Sequence, residues 1–433
     1  MKFVSTRGGD VANLADALAR GLAADGGLYV PQAIPTVDGA SPSASVAATA
    51  ERFIAPYVVG SPLEAHLGEI CAEAFTFDAP LRSLDGEGDT LLELFHGPTA
   101  AFKDFGARFL AGSLARLPRD RARDLVILVA TSGDTGAAVA AAFDRRPGFR
   151  VVILYPDGGV SARQAQGLSC FGDNVRTYRV AASFDECQRV VKEVLAAHAD
   201  DPASRFSSAN SISLGRLLPQ IAYHAHAALA HRQGSDQPLN LLIPSGNLGD
   251  GAAAWLARAM GAPIGDIDFA CNANLVLPDF FAGEAYRPRA SVRTLANAMD
   301  IGAPSNFERL VHWLGGEDGV RAAFGCASVS DARIEQVIAA APTRHGAIVC
   351  PHTACGLAML EDKRAAGDTR PWAVAATAHP AKFETIVEPL VGHKVAVPPA
   401  LAGYLARPTR NYPLAPSATE LLADLGAAGW IRL

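Results

Sequence analysis

Leu125-Val126-Ile127-Leu128-Val129-Ala130, followed by Thr131-Ser132-Gly133-Asp134-Thr135-Gly136 and an alanine-rich run to Phe143, is the stretch on which the fold turns. Six apolar residues in a row, without alternation, read as a strand covered on both faces. The turn rich in glycine and hydroxyls opens a helix, and Arg150 to Tyr155 (RVVILY) supplies the next strand. Strand, helix and strand in that order imply a parallel sheet with a right-handed crossover.

Toward the C-terminus, Val175 to Val180 is predicted as a third strand. Ser183 caps a helix running to about His198. A further helix covers 214–232 and bends at Pro219. A second α/β set begins at Leu239 to Ile243 and continues through the loop Pro244-Ser245-Gly246-Asn247-Leu248-Gly249-Asp250-Gly251 into a helix ending near Met260. Asp268 to Cys271, Ala347 to Cys350 and Trp372 to Thr377 are predicted strands. Toward the N-terminus, the spacing of Val11, Leu14, Leu18 and Leu22 predicts a helix over 8–24. A turn at Asp25-Gly26-Gly27 leads into a short extended piece, 35–47 form a loop, and 48–92 are mainly helical. The fold class expected is α/β: two open twisted α/β lobes behind a mostly helical N-terminal segment. The expected division is 1–92 for that segment, 93–238 for a smaller lobe with the segment before it, and 239–433 for a larger lobe.

The 433 residues are 49% hydrophobic and 19% charged, with a net charge of −6. That is an ordinary globular composition with ample core. The charge gives no basic surface for a phosphate backbone, so no nucleic-acid partner is expected. The opening MKFVSTRGGD has no signal-peptide core, and no apolar run reaches spanning length, so no membrane partner is expected and the location expected is cytoplasmic. Seven scattered cysteines form no CxxC pair. Cys350, His352 and Cys355 lie close together, but too few ligands are present for a usual zinc set, and no metal is expected.

Three features carry chemistry. Glu93 to Phe105 (ELFHGPTAAFKDF) sets Lys103 among apolar neighbours at a helix start. Desolvation disfavours an ammonium, and a neutral amine forms Schiff bases with carbonyls; a lone lysine there equally well snorkels to water. The loop Ser245–Gly251 converges main-chain N–H groups at a helix N-terminus, which suits a phosphate. It lacks both the lysine of a nucleotide-binding P-loop and GxGxxG spacing, and taken alone it reads as well as a plain turn. The loop 131–136 offers hydroxyl and amide donors to a carboxylate, or simply caps its helix. An imine-forming lysine, a phosphate cradle and a carboxylate clamp together match what pyridoxal phosphate and an amino-acid substrate need. His224 and His231 share a helix face with His226 off it. His96 and His379 lie near the expected site, where structural hydrogen bonding fits them better than acid–base work.

In order along the chain, MKFVSTRG, DGGLYVP, HGPTAAFKDF, ATSGDTGAA, SSANSISLGRLLPQ, IPSGNLGDG, TLANAMDIGAPSNFERL and TAHPAKF resemble the long-chain bacterial and fungal threonine synthases. That family belongs to the tryptophan-synthase-β-like, fold type II pyridoxal-phosphate enzymes. The resemblance covers most of the chain. It implies pyridoxal 5'-phosphate as cofactor, with Lys103 as the Schiff-base lysine. It implies Ser245, Gly246, Asn247, Leu248, Gly249 and Asp250 as the cofactor-phosphate cradle, and Thr377 as the hydroxyl beside the pyridine nitrogen. It implies Thr131, Ser132, Gly133, Asp134 and Thr135 as the substrate-carboxylate loop. Asn210, Ser211, Arg216, Ser305, Asn306 and Arg309 become candidates for a substrate phosphate, because an Arg fork suits a phosphate dianion. Relatives with shorter chains carry Asn, contacting the cofactor's 3′-oxygen, where this chain has Asp134, so the role of Asp134 stays open. Several relatives have Asn in place of Ser213.

The reaction implied is O-phospho-L-homoserine plus water giving L-threonine and phosphate, in a monomer or small homo-oligomer. A related pyridoxal-phosphate lyase or dehydratase, or a non-catalytic binding protein on the same fold, are the alternatives. Arg216, Asn306 and Arg309 speak for the first reading, since a dehydratase has no substrate phosphate to hold.

Overall fold

The structure, a computed structural model, describes all residues except 38–40, 86–87, 119–122, 199–204 and 432–433. Residues 38–40 of the expected 35–47 loop therefore lie outside the described residues.

The opening stretch folds as read. Leu125–Ala130, Phe149–Pro156 and Val175–Val180 are parallel neighbours, joined by the helices Asp134–Phe143 and Ala162–Ser169. Phe206–Ser208 pairs on one edge and Tyr412–Leu414 on the other, so the five-stranded sheet is wholly parallel. Both faces are covered: Ile127, Val129, Val151 and Ile153 join the main core, while Val126, Leu128, Val152 and Leu154 face a second cluster with Val190, Val194, Leu421 and Leu425. A strand buried on both sides has no polar face to alternate with, which is why its sequence is a continuous apolar run.

A six-stranded sheet forms the second lobe, in the order Gly325–Ser328, Ile264–Cys271, Leu239–Pro244, Trp372–Ala376, Thr90–Glu93, Leu81–Ser83. All its pairings are parallel except the last. The fold is thus the α/β, two-lobed architecture expected. A small antiparallel sheet of Phe3–Ser5, Val11–Ala12 and Tyr29–Pro31 precedes both lobes.

Several local expectations are corrected. The helix read over 8–24 is only Leu14–Arg20, capped by Asn13 and ended by Gly21 at φ 73°; Val11 lies in a strand. Residues 48–92 are helical only as far as Ala74, and two short strands follow. Ala347 to Cys350 is not a strand; it leads into the helix Pro351–Ala365, where Pro351 takes a first-turn position that needs no N–H donor. The sheets also cut across the boundaries at 92 and 238. Leu81–Ser83 and Thr90–Glu93 pair within the larger sheet, and Tyr412–Leu414 with the helix Ala418–Ala427 returns to the smaller lobe.

The residues before Lys103 belong to the larger sheet as well. Phe102 donates its N–H to the Thr377 carbonyl at 2.9 Å, and Ala101 bridges to Ala378. The sharp turn ahead puts Ala100 at φ 55°. Asp104, fully buried, holds that turn by accepting from the Thr99 amide at 2.9 Å and the Thr99 hydroxyl at 2.7 Å.

Candidate active site

Between the lobes lies a cleft lined by both glycine-rich loops. Lys103, Thr131, Ser132, Asp134, Thr135, Asn210, Ser211, Arg216, Ser245 to Asp250 and Thr377 all line it. Lys103 stands at the start of the helix Lys103–Arg116, its Nζ 4.3 Å from the centroid of the Phe102 ring. It is half-buried by surface area, opening only on the cleft. Burial lowers its amine to about 8; Arg216 and Lys382 push the same way, while Asp134 and Asp250 oppose them.

At one end of the cleft, the strand Leu239–Pro244 turns into the helix Gly249–Ala259. Leu248 adopts φ 59°, the left-handed conformation that turns successive amides inward. Gly246 is required here: a Cβ would stand 2.8 Å from the Met299 Cα and carbonyl oxygen. Among the described residues, no acceptor meets the N–H groups of Gly246, Asn247, Leu248 or Gly249. Unpaired amides at a helix N-terminus, across a cleft from an amine of lowered proton affinity, fit the phosphate and aldehyde of pyridoxal phosphate. The Thr377 hydroxyl, at the end of Trp372–Ala376, opens on the same cleft.

Other expected residues are placed differently. Arg309 does not line the cleft. Its guanidinium is fully buried and donates to the carbonyls of Tyr29 and Ile212 and to Asn306 Oδ1. Asn306 donates to the Asn247 carbonyl at 3.0 Å, and Ser305 gives its N–H to Asn247 Oδ1. These three form a bracket under the glycine loop, in which Arg309 and the Asn306 amide spend their donors on carbonyl oxygens. Asn210 lines the cleft, but its amide is committed to Ala130 at 3.0 and 3.1 Å, in the manner of a strand partner. Asn247 donates its side-chain amide to the Ser211 hydroxyl. Gly133 lies behind the cleft wall, packed on Gln164. The Ser213 hydroxyl is buried with no partner among the described residues.

Arg216 is different. It is 2% exposed, lines the cleft, and donates to the Ala209 carbonyl at 2.6 Å, while its Nε has no partner. Burial pushes its guanidinium down to about 10. Asp250 turns one oxygen toward Tyr223 and His224, at 2.5 and 2.7 Å, and leaves the other unpaired.

The sequence reading missed Lys382, which forms a 2.8 Å ion pair with Asp134; its only signal was a place inside TAHPAKF. The His352 ring lines the cleft and accepts the Ala298 N–H at 3.1 Å through Nε2, and burial lowers it to about 4. His96 pairs with Glu93 at 2.8 Å, and His379 accepts the Ala381 N–H. Among the described residues no cluster of His, Cys, Asp and Glu could hold a metal ion.

Fold and site together define a pyridoxal-phosphate-dependent enzyme, and the family profile described as "Pyridoxal-phosphate dependent enzyme" matches residues 90–380. Profiles described as "Threonine synthase N terminus" and "Threonine synthase, C-terminal" match 2–75 and 353–424. The threonine synthase of Haemophilus influenzae is 36% identical over 89% of this chain and 90% of its own length. The crystal structure of threonine synthase from Escherichia coli superposes with TM-score 0.89 at 32% identity, covering 99% of this chain and all of its own. The pyridoxal-phosphate-bound threonine synthase of Brucella melitensis gives 0.88 at 31% identity, with full coverage of both chains. The chain belongs to the threonine synthase family.

Proposed function

We propose that this chain converts O-phospho-L-homoserine and water into L-threonine and phosphate. The observation that carries the reading is the joint placement, around one cleft, of the Lys103 amine, the free amides of 246–249 and the buried Arg216, whose guanidinium has no acidic partner among the described residues. Pyridoxal phosphate bound there supplies an aldehyde for amines and a conjugated ring that takes up electron pairs.

Placement around the cleft supports each proposed role. Gly246 to Gly249 hold the cofactor's anionic tail, and Thr377 offers a hydroxyl to its ring nitrogen. Thr131, Ser132 and Thr135 orient the substrate carboxylate. Arg216 holds the substrate phosphate as it departs, with charge-assisted donors aimed where negative charge grows. The net change breaks the γ-carbon–oxygen bond and one β-carbon–hydrogen bond, puts a hydroxyl from water on the β-carbon and one more hydrogen on the γ-carbon, and releases phosphate with the remaining proton. Lys103, with an amine near 8, takes the α-proton in its neutral form and returns protons in its charged form. Walls from both lobes keep bulk water from competing.

The test is phosphate release from O-phospho-L-homoserine set against ammonia release from threonine. Dominant phosphate release, abolished by Lys103→Ala, is expected. Ammonia release without phosphate release would instead make the chain a dehydratase. A colourless protein that takes up no cofactor would make it a binding protein.

A further inference from the structure

Asp134 is the one acid in the hydroxyl loop 131–135, where a bare carboxylate would repel a carboxylate guest. It is held by a residue almost 250 positions away. Lys382, in the short turn Pro380–Phe383, places Nζ 2.8 Å from Asp134 Oδ1 and 2.9 Å from the Thr99 carbonyl. The two side chains are 4% and 3% exposed, so water does not screen them. Gln164 Nε2 donates to the same Asp134 oxygen at 3.1 Å, and its own carbonyl is fixed by the Ser161 N–H and by Asn297. Asp134 lines the reactive cleft, whereas Lys382 lies behind it, in a smaller cavity with Thr99, Gly133 and Arg163.

We propose that Lys382 is a positioning residue: its ammonium pins the Asp134 carboxylate and cancels its charge in place, so that the loop accepts a substrate carboxylate while Asp134 still balances the Lys103 amine. This deepens the reading of the cleft as an amino-acid site and rests on it. Thr99, whose carbonyl Lys382 grips, begins the turn that delivers Lys103, so one ammonium ties the carboxylate loop to the lysine's own segment. Every charged or titratable group acting on Lys103 enters the balance. Asp134 and Asp250 favour its ammonium form, Arg216 and Lys382 disfavour it, and His352, neutral at ordinary pH, repels it only in acid. Of these, Asp134 acts most strongly after burial itself, and its proton affinity is held well below the usual carboxylate range by Lys382 and Lys103, against burial, which raises it.

The arrangement makes a signed prediction that a merely structural contact does not. Trace acetylation of the cofactor-free, full-length chain across pH, read by peptide mass spectrometry, gives the titration midpoint of each of its six lysines. Wild-type Lys103 is expected near 8. Asp134→Asn leaves two cations acting on each other and lowers the midpoint by about one to three pH units. Lys382→Met leaves Asp134 to Lys103 alone and raises it by about one. The double variant Asp134→Asn/Lys382→Met removes one charge of each sign and so leaves the net buried charge unchanged, folds most readily of the three, and returns the midpoint toward the wild-type value. Lys382→Arg keeps it. Opposite shifts that cancel in the double variant support the proposal; no shift in either single variant, or shifts of the same sign, overturn it. Because no cofactor or substrate is present, this outcome is independent of which reaction the enzyme catalyses.

Discussion

Replacing Arg216 by Met should make the protein no less stable and far less active. The guanidinium is fully buried, no carboxylate forms an ion pair with it among the described residues, and burial pushes it from 12.5 to about 10. At about 1.4 kcal/mol for each tenfold change in proton affinity, keeping it charged at neutral pH costs roughly 3 kcal/mol. The sign is that of a base with a lowered folded-state value: the cost is present at all pH below about 10 and fades as pH rises toward 12.5. Methionine fills similar space without charge. It loses the hydrogen bond to the Ala209 carbonyl, leaving that group unpaired at about 1–3 kcal/mol. The net expectation is a gain of about 0–2 kcal/mol, which calorimetry reads as an unchanged or slightly raised Tm. Activity moves the other way. Two charge-assisted bonds to a phosphate dianion are worth about 1.5–3 kcal/mol each, so kcat/KM for O-phospho-L-homoserine should fall by a factor of about 10²–10⁴. A variant with a Tm lowered by several degrees and kcat/KM unchanged would refute both the cost and the role.

Gly246→Ala drives a Cβ to 2.8 Å from the Met299 backbone; the glycine loop must shift, and equilibrium dialysis should show at least about tenfold weaker pyridoxal-phosphate binding. His352 is buried and lowered to about 4, so stability falls as pH drops from about 6.5 toward 4, by up to about 3 kcal/mol; His352→Asn should flatten that limb of a urea-denaturation pH series. Leu421→Ala, in the helix Ala418–Ala427, removes a fully buried side chain from the outer face of the five-stranded sheet. A loss of about 2–5 kcal/mol and faster proteolytic release of the C-terminus are expected, with early activity little changed.

What the sequence disclosed follows a physical line. Leu125–Ala130 was read at its observed limits because an unbroken apolar run ends at the Thr131–Gly136 turn, and Val175–Val180 because Gly172-Asp173-Asn174 precedes residues of which four in six are β-branched or aromatic. The same logic failed at Ala347–Cys350: apolar composition marks burial, and only Pro351 says that a helix begins. Leu81–Ser83 and Thr90–Glu93 were invisible because they are three and four residues long and Thr90–Glu93 pairs with Trp372–Ala376, far along the chain. At the site, residue types with a strong backbone reason, such as Gly246 and Lys103 after its Gly-Pro turn, were legible. Direction was not. Nothing local distinguishes Arg216, which opens on the cleft, from Arg309, which turns to carbonyls, or marks Lys382 as the partner of Asp134.

The bracket beneath the glycine loop has a mechanical consequence. Arg309 and Asn306 reach the Tyr29 carbonyl of the N-terminal sheet, the 211–212 turn beside the smaller lobe and the Asn247 carbonyl of the larger one. Any lobe rotation that preserves those bonds has its fulcrum at the glycine loop 245–251, the seat proposed above for the cofactor's anionic tail. Sway is then least beside that loop and grows with distance from it, so closure on a substrate would swing about a pinned anchor.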